Sequence, residues 1–514
     1  MPIILFLLTI ISRLPFTSKY LYHLDSGHFA LALDDYNLVL HQPHPPGYFL
    51  YVMLGKFLHL FVSDVNTTFV LISIFFSGLT VVTVYFIGKE LFNERTGIFS
   101  ALLMLTSPNF WFHGEVALTY PAEAFFSAII GLFCWRAYQG NKSYVLISAV
   151  MLAVASGFRQ NTAVFLVPLW MFSVRRESYR SIVNGLLLFC IVSFAWFLPM
   201  VMYTGGLSAY IEAFRELWVF NTGHNSVFQK GLPALKLYSQ TIYKFIFFSM
   251  GAILPVLLLA IYSSIRNHKT RSLSNTKTCF FALWVLPSVL FYLLIFIHPA
   301  NPGYILIILP PLLIIASAAL LNLCGSLREL TKINLAPAFL CLTLFINTFM
   351  FLFSRYPVTL FEIRNNDRNL AALFTNLRQF NPHTTVIFIE PYIFRSIRHI
   401  MIYLPEYTVY QMHIRKSPSG ESRKFFSGEH GKTVLVKKIS LPSRTKYFAT
   451  VYAYDTNTLP PTPPGLSVMK VDPNCVIISG PISMLSDQFP TLLPYLEKIP
   501  STSSADIQRS NNAN

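Results

Sequence analysis

The sequence predicts an α-helical polytopic membrane protein, with about eleven transmembrane helices and a small C-terminal α/β domain outside the cytoplasm. Three observations predict it. Of 514 residues, 54% are apolar and only 12% charged, with a mean hydropathy of +0.51. A water-soluble domain carries roughly twice that share of charge. Apolar runs near the ~20 residues that cross a hydrocarbon core recur from Met1 to about residue 354. Beyond residue 355 the runs shorten, charges enter every turn and proline increases, which marks a separate domain.

The first run, MPIILFLLTIISRLPF, lacks a basic n-region and an A-x-A site, so it is read as a retained first helix. Ten further spans are expected at about 66–91, 97–113, 117–136, 143–158, 162–174, 182–203, 241–265, 278–297, 304–325 and 335–354. The net charge of +16 raises the question of nucleic acid, but the Lys and Arg residues lie in short clusters between apolar runs. Lys89 with Arg95, Arg136 with Lys142, and Arg175, Arg176 and Arg180 are such clusters; Arg266, Lys269, Arg271 and Lys277, then Arg328 and Lys332, follow. The alternate turns 113–116 and 298–303 carry no Lys or Arg. This asymmetry is that of cytoplasmic loops, and no aromatic-interleaved basic stripe accompanies it, so no nucleic-acid partner is expected. Met1 is placed in the cytoplasm, and an odd span count puts the tail outside.

The expected organisation is a membrane domain over 1–354, an extracytoplasmic α/β domain over 355–456 and a Pro-rich, polar tail over 457–514. Within the second part, 366–380 reads as a helix and TTVIFIE (384–390) as a strand. PYIFRSIRHIMIYL reads as a helix opened by Pro391, and YTVYQM as another strand. PPTPP and STSSADIQRSNNAN read as a loop and an unordered end. Five of six cysteines fall in apolar runs and only Cys475 in the polar part, so no disulfide framework is expected.

The chemistry concentrates in the external segment 17–65, where LDSGHFALALDDYNLVLHQPHPPGYFLYVMLGK groups Asp25, His28, Asp34, Asp35, His41, His44 and Lys56 beside an apolar stretch suited to the membrane surface. A carboxylate at this depth loses hydration, and its pKa rises unless cations or hydrogen bonds hold it charged. FALALDDYNLVL reads first as an amphipathic surface helix whose Asp34 and Asp35 face water, and second as a catalytic segment. Asp25, before a glycine and outside that helix, is the preferred base. In GFRQN, Arg159 sets a guanidinium at the external end of an apolar helix, where a permanent charge needs an anion or snorkels to headgroups. In HGEVALTYPAE, Glu115 can mark the water boundary, whereas Glu123 inside an apolar run is the more unusual placement. A second external segment, GGLSAYIEAFRELWVFNTGHNSVFQKG, reads as a surface helix plus loop.

DSGHF followed some fifteen positions later by HPPGYFLYVMLGK resembles the first external loop of the GT-C glycosyltransferases, the protein O-mannosyltransferases especially. Those enzymes carry D-E-x-H-F and then H-P-P-L-G-K, so Asp25, His28, Phe29, His44, Pro45, Pro46 and Lys56 have counterparts, Lys56 lying farther from the prolines. A set of bacterial glycosyltransferase-like polytopic proteins, with D-S-G-E and then H-P-P-G-Y, is similar too; here His28 replaces the Glu. Ser26 stands where the mannosyltransferases have their second acidic residue. RLPF before the loop and PGYILIILPPLLIIASAAL near the last spans extend the resemblance over roughly residues 1–325.

The resemblance implies an inverting, hexosyl- or mannosyl-type transfer from a polyprenyl-phosphate-linked donor to an acceptor hydroxyl at the extracytoplasmic face of the cell membrane. Asp25 would be the base. Arg159, then His44 and Lys56, would meet the donor phosphate, and Glu123, Glu115, Asp34, Asp35 and His28 would serve as acceptor or acid partners. His44 before two prolines can instead cap a turn, and Lys56 can simply face water. No cofactor and no metal is expected, because the histidines are scattered and no carboxylate pair is evident. Membrane lipid and the lipid-linked sugar are the expected partners, with the acceptor open. A transporter or flippase for a lipid-linked or anionic substrate is the alternative, though charges gathered on one external face and the lack of broken-helix pairs tell against it. A scaffold whose tail binds envelope partners is a third reading.

Overall fold

The computed structural model describes residues 1–222, 225–266, 275–355, 357–390, 397–417, 420–429, 431–453, 464–485 and 492–497. The chain forms two compact units: Met1–Tyr22 with Pro45–Arg364, and His23–His44 with Asn365–Asn514. The boundary at 364/365 lies ten residues past the one the sequence suggests, and residues 23–44 fold with the C-terminal part.

The first unit is helical. Among the described residues, six of its helices are long and apolar enough to cross a membrane: Val65–Leu91, Tyr179–Tyr203, Leu232–Tyr262, Asn275–Leu294, Leu309–Glu329 and Ala336–Phe353. Pro2–Phe16, Phe49–His59, Ser143–Phe158 and Gln160–Val174 are apolar but shorter. Eleven spans of full length are thus not found among the described residues, and the reasons are local. The expected span 97–113 breaks into Glu94–Thr106 and Pro108–Gly114, with Ser107 between them accepting the Phe110 amide through its hydroxyl. Ser143–Phe158 and Gln160–Val174 are separated by extended backbone at Arg159 (φ −156°, ψ 108°). Tyr120–Tyr138 carries Glu123 and Arg136 within its 19 residues.

Apolar surroundings leave backbone and hydroxyl groups no water, so each must find a partner inside the helix. In Val65–Leu91, Ser77, Thr80 and Thr83 donate to the carbonyls of Ser73, Phe76 and Leu79 at 2.7–2.8 Å. Leu186, Leu187, Ile191 and Phe194 on Tyr179–Tyr203, and Leu342, Phe345, Phe349 and Phe353 on Ala336–Phe353, are exposed large apolar side chains, as lipid-facing surfaces require. The segment from residue 204, expected to be external, forms helix Leu207–Thr222, as its periodicity suggests; residues 223–224 lie outside the described set.

The second unit is built on a seven-stranded sheet: β1 (Thr385–Ile389), β2 (Thr408–Ser417), β3 (Gly420–Glu429), β4 (Lys432–Val436), β5 (Tyr447–Ala453), β6 (Ser467–Asp472) and β7 (Cys475–Pro481), in the order β4-β3-β2-β1-β5-β7-β6. β1 runs parallel to β2 and β5, and the remaining pairs are antiparallel. The β1–β2 crossover contains helix Ile397–Tyr403; Pro391, its expected opening, lies outside the described residues. Val386, Phe388, Tyr410, Phe425 and Phe448 form the core with Ile439, Ile482 and Leu485. β6 and β7 fall in the stretch read as a tail; β7 is buried where it pairs with β5, whereas β6, at the sheet edge, stays partly exposed. PPTPP and the last seventeen residues lie outside the described set except for Pro464. All six cysteines are free thiols.

Close helix packing in the first unit depends on Gly131: a Cβ there would stand 2.3 Å from the Trp284 indole. That indole is fully buried and donates from Nε1 to Ser127 Oγ at 2.8 Å, so it has no room to retreat. Gly131→Ala is expected to lower stability by about 1–3 kcal/mol, read as a lower unfolding midpoint in detergent, and Trp284→Leu in the same chain to recover part of the loss. An unchanged midpoint for Gly131→Ala would refute this packing.

Candidate functional site

Asp25 opens helix Leu24–Leu31. His23 caps that helix: its Nδ1 accepts the Asp25 amide at 3.1 Å, while Ser26 Oγ accepts the His23 amide at 3.3 Å. An i, i+3 spacing puts Asp25 and His28 on one face. His44 arrives from the far side of a loop whose turn, Leu38–Leu40 with left-handed His41 (φ 55°), brings the chain back. Gln42 pins the loop by donating to Thr433 Oγ1 at 2.7 Å, and Arg398 donates to Leu40 O at 2.7 Å and Thr433 Oγ1 at 2.9 Å.

The three side chains converge. His44 Nδ1 lies 3.6 Å and His28 Nδ1 4.0 Å from Asp25 Oδ1, and the two Nδ1 atoms lie 3.3 Å apart. His23 Nδ1 stands 3.5 Å from Asp25 Oδ2. Burial pushes the Asp25 pKa up, but His44, His23 and His28 outweigh it and leave the carboxyl well below its usual range. Burial also pulls the His28 pKa well down, reinforced by Arg398, His44 and His41 against the attraction of Asp25. The Asp25 side chain keeps 24% of its surface and that of His44 14%, so the carboxylate is held charged yet within reach of solvent.

Three expectations about this loop change. Asp25, expected outside a helix, lies inside helix Leu24–Leu31. That helix ends at Leu31, so Asp34 and Asp35 fall in the following turn, and both are exposed. Phe29, Ala30, Leu31, Ala32 and Leu33 are buried within the protein, so the apolar stretch does not lie flat on a membrane. The signal for that difference was Gly27, where a Cβ would meet Arg398 Cβ at 2.8 Å. Only glycine lets helix Ile397–Tyr403 pack so closely. Arg398, Thr433 and Phe426, whose ring lies 4.5 Å from the guanidinium carbon, were not legible as site neighbours, because some 350 residues separate them from the loop.

In the first unit, Arg159 is buried, and its anionic partner belongs to the chain: Nε lies 3.1 Å from Glu123 Oε2. Thr119 Oγ1 accepts from Arg159 Nη1 at 3.1 Å, and the Tyr120, Tyr304 and Tyr48 rings surround the guanidinium at 4.5, 5.3 and 5.8 Å. Headgroup snorkelling does not describe Arg159, and Glu123, inside an apolar run, is its partner. Glu115 is also buried and accepts from Trp111 Nε1 at 3.0 Å. Lys56, on helix Phe49–His59, is exposed.

Residues 25–183 match the family model described as the protein O-mannosyl-transferase TMEM260 N-terminal domain, a match that begins at Asp25. No curated protein matches the chain by sequence. The structure is similar to that of ArnT from Cupriavidus metallidurans in the apo state, with a TM-score of 0.54 and 12% identity over 93% of this chain and 97% of ArnT. ArnT bound to undecaprenyl phosphate matches at 0.54 and 13% over the same shares. An oligosaccharyltransferase from Archaeoglobus fulgidus in the apo form gives 0.47 and 12%, over 79% of this chain and 63% of that one. Residues 25–183 thus match the model of the TMEM260 N-terminal protein O-mannosyl-transferase domain, and the chain shares its fold with ArnT.

Proposed function

We propose that the protein transfers a sugar from a polyprenyl-phosphate-linked donor to an acceptor hydroxyl on the extracytoplasmic face of the membrane, with inversion at the anomeric carbon. The observation that carries this reading is the Asp25 carboxylate, kept ionised among three histidines and open to solvent at the start of the matched segment. Such a group accepts the acceptor's proton as its oxygen attacks the anomeric carbon; the bond from that carbon to the phosphate oxygen breaks, and the polyprenyl phosphate leaves. The donor class draws on the printed name of the family model and on ArnT, which has been seen with undecaprenyl phosphate.

Within this reading His44 and His28 hold the base rather than the phosphate, since both face Asp25. Lys56 is left as an exposed cation suited to headgroups or the donor's phosphate. Arg159 is the stronger phosphate partner: its charge is permanent and dehydrated, and Glu123 is the anion with which a phosphate would share it. Glu115 and Glu123 are fully buried, which suits them to internal pairing rather than to the acceptor.

Asp25→Asn removes the base and preserves the shape, so transfer from a polyprenyl-phosphate sugar is expected to fall by about 10²–10⁴-fold, with membrane insertion and elution profile unchanged. Wild-type turnover by that variant would remove Asp25 from the chemistry. Glu123→Gln leaves Arg159 buried without its carboxylate, a loss of about 3–5 kcal/mol in stability. Thermal unfolding in detergent measures it, and added polyprenyl phosphate should raise the midpoint more in this variant than in the wild type. Equal shifts in both would take the phosphate away from Arg159.

A further inference from the structure

Three atoms that can each offer a lone pair to a cation meet at one point of the second unit: Asp25 Oδ1, His28 Nδ1 and His44 Nδ1, separated by 3.3, 3.6 and 4.0 Å. A triangle with those sides has its centre about 2.1 Å from each corner, so an ion lifted just out of its plane, as a fourth ligand requires, stands about 2.2 Å from each, within about 0.2 Å of the Zn–N and Zn–O bond lengths. The ligand spacing of a tetrahedral zinc centre, about 3.4 Å, follows from the same bond length. A shared imidazole proton relieves only one edge of such a triangle; a cation at its centre relieves all three.

We propose that Asp25, His28 and His44 bind a divalent transition-metal ion of the zinc type, through one carboxylate oxygen and two Nδ1 atoms.

The ligand set is chemically coherent. Neutral imidazole nitrogen and carboxylate oxygen suit zinc, and three protein ligands leave a fourth position for water or a substrate oxygen. Access exists, since the Asp25 and His44 side chains keep 24% and 14% of their surface. The frame is fixed before any ion arrives: the cap at His23 and Ser26 sets Asp25, the helix sets His28, and Gln42 and Arg398 hold the loop that leads to His44. Arg398 is the opposing charge. Its guanidinium is drawn to Leu40 O and Thr433 Oγ1 and lies over Phe426.

The ion shares Asp25 with the proposed transfer, and binding through Oδ1 leaves Oδ2 beside His23. The two ideas nevertheless answer to different measurements. The test uses the full chain, purified in detergent through a tag without histidines and stripped with a chelator. Zinc alone is titrated calorimetrically, and cobalt(II) alone is followed by its d–d absorption. One zinc per chain is expected, with the intense visible bands of a tetrahedral cobalt centre. His28→Gln and His44→Gln should each weaken zinc by more than the about 10–100-fold that loss of an outer-shell partner costs, with elution profiles like the wild type. If either variant misfolds, the stripped wild type still decides: absence of a saturable stoichiometric site there overturns the proposal. So does wild-type zinc affinity in both folded variants. Transfer activity in a chain that binds no zinc would remove the ion and leave the base. Zinc binding without transfer from any polyprenyl-phosphate sugar would do the reverse.

Discussion

A charge taken out of water must be met by an opposite charge or by aligned dipoles, and this constraint organises both units. The Born cost of burying an ion is recovered only where geometry is close and further hydrogen bonds complete it. Arg159 is answered by Glu123, Thr119 and three tyrosine rings, Arg398 by two oxygen acceptors and the face of Phe426, and Asp25 by three imidazoles. Each helix near these groups stops or starts where its charge requires. Ser143–Phe158 ends at Arg159, and Leu24–Leu31 begins one residue before Asp25.

These solutions differ in what they leave accessible. Arg159 and Glu123 are buried among aromatic neighbours and answer each other's charge. Around Asp25 the groups that meet the charge are titratable and polarisable, and part of the carboxylate surface stays open. A carboxylate stabilised by imidazoles can exchange them for another cation, or for a proton in flight, without a large change in structure. The proposed base therefore sits in the shell that stays open to solvent.

Membrane character, the helical pattern and the start of the C-terminal sheet were legible because hydropathy and periodicity are local properties of the chain. β1 and β2 fall within a residue or two of TTVIFIE and YTVYQM where they begin. Span number was less legible, since breaks at Ser107 and Arg159 come from one residue's capping or backbone angle inside otherwise continuous apolar runs. Asp25, His28 and His44 were legible as a group by motif, but not the inward face of Phe29–Leu33. Hydropathy scores an apolar stretch alike against lipid or against protein, and Arg398, which decides the matter at Gly27, enters from the other end of the chain.

The same reasoning explains why the motif needs its small residues as much as its ionisable ones. In D-S-G-H-F, Ser26 completes the cap that fixes the Asp25 backbone, and Gly27 admits Arg398 to 2.8 Å of where a Cβ would stand. A larger residue at 27 would push helix Ile397–Tyr403 away, taking with it the donors that hold Leu40 O and Thr433 and hence the loop that returns His44. Moving His44 by a single ångström would undo the convergence of the three atoms within 4.0 Å. The distance between a carboxylate and an imidazole is thus set by a glycine that touches neither, and the five-residue motif reads as one mechanical part rather than as five separate functional positions.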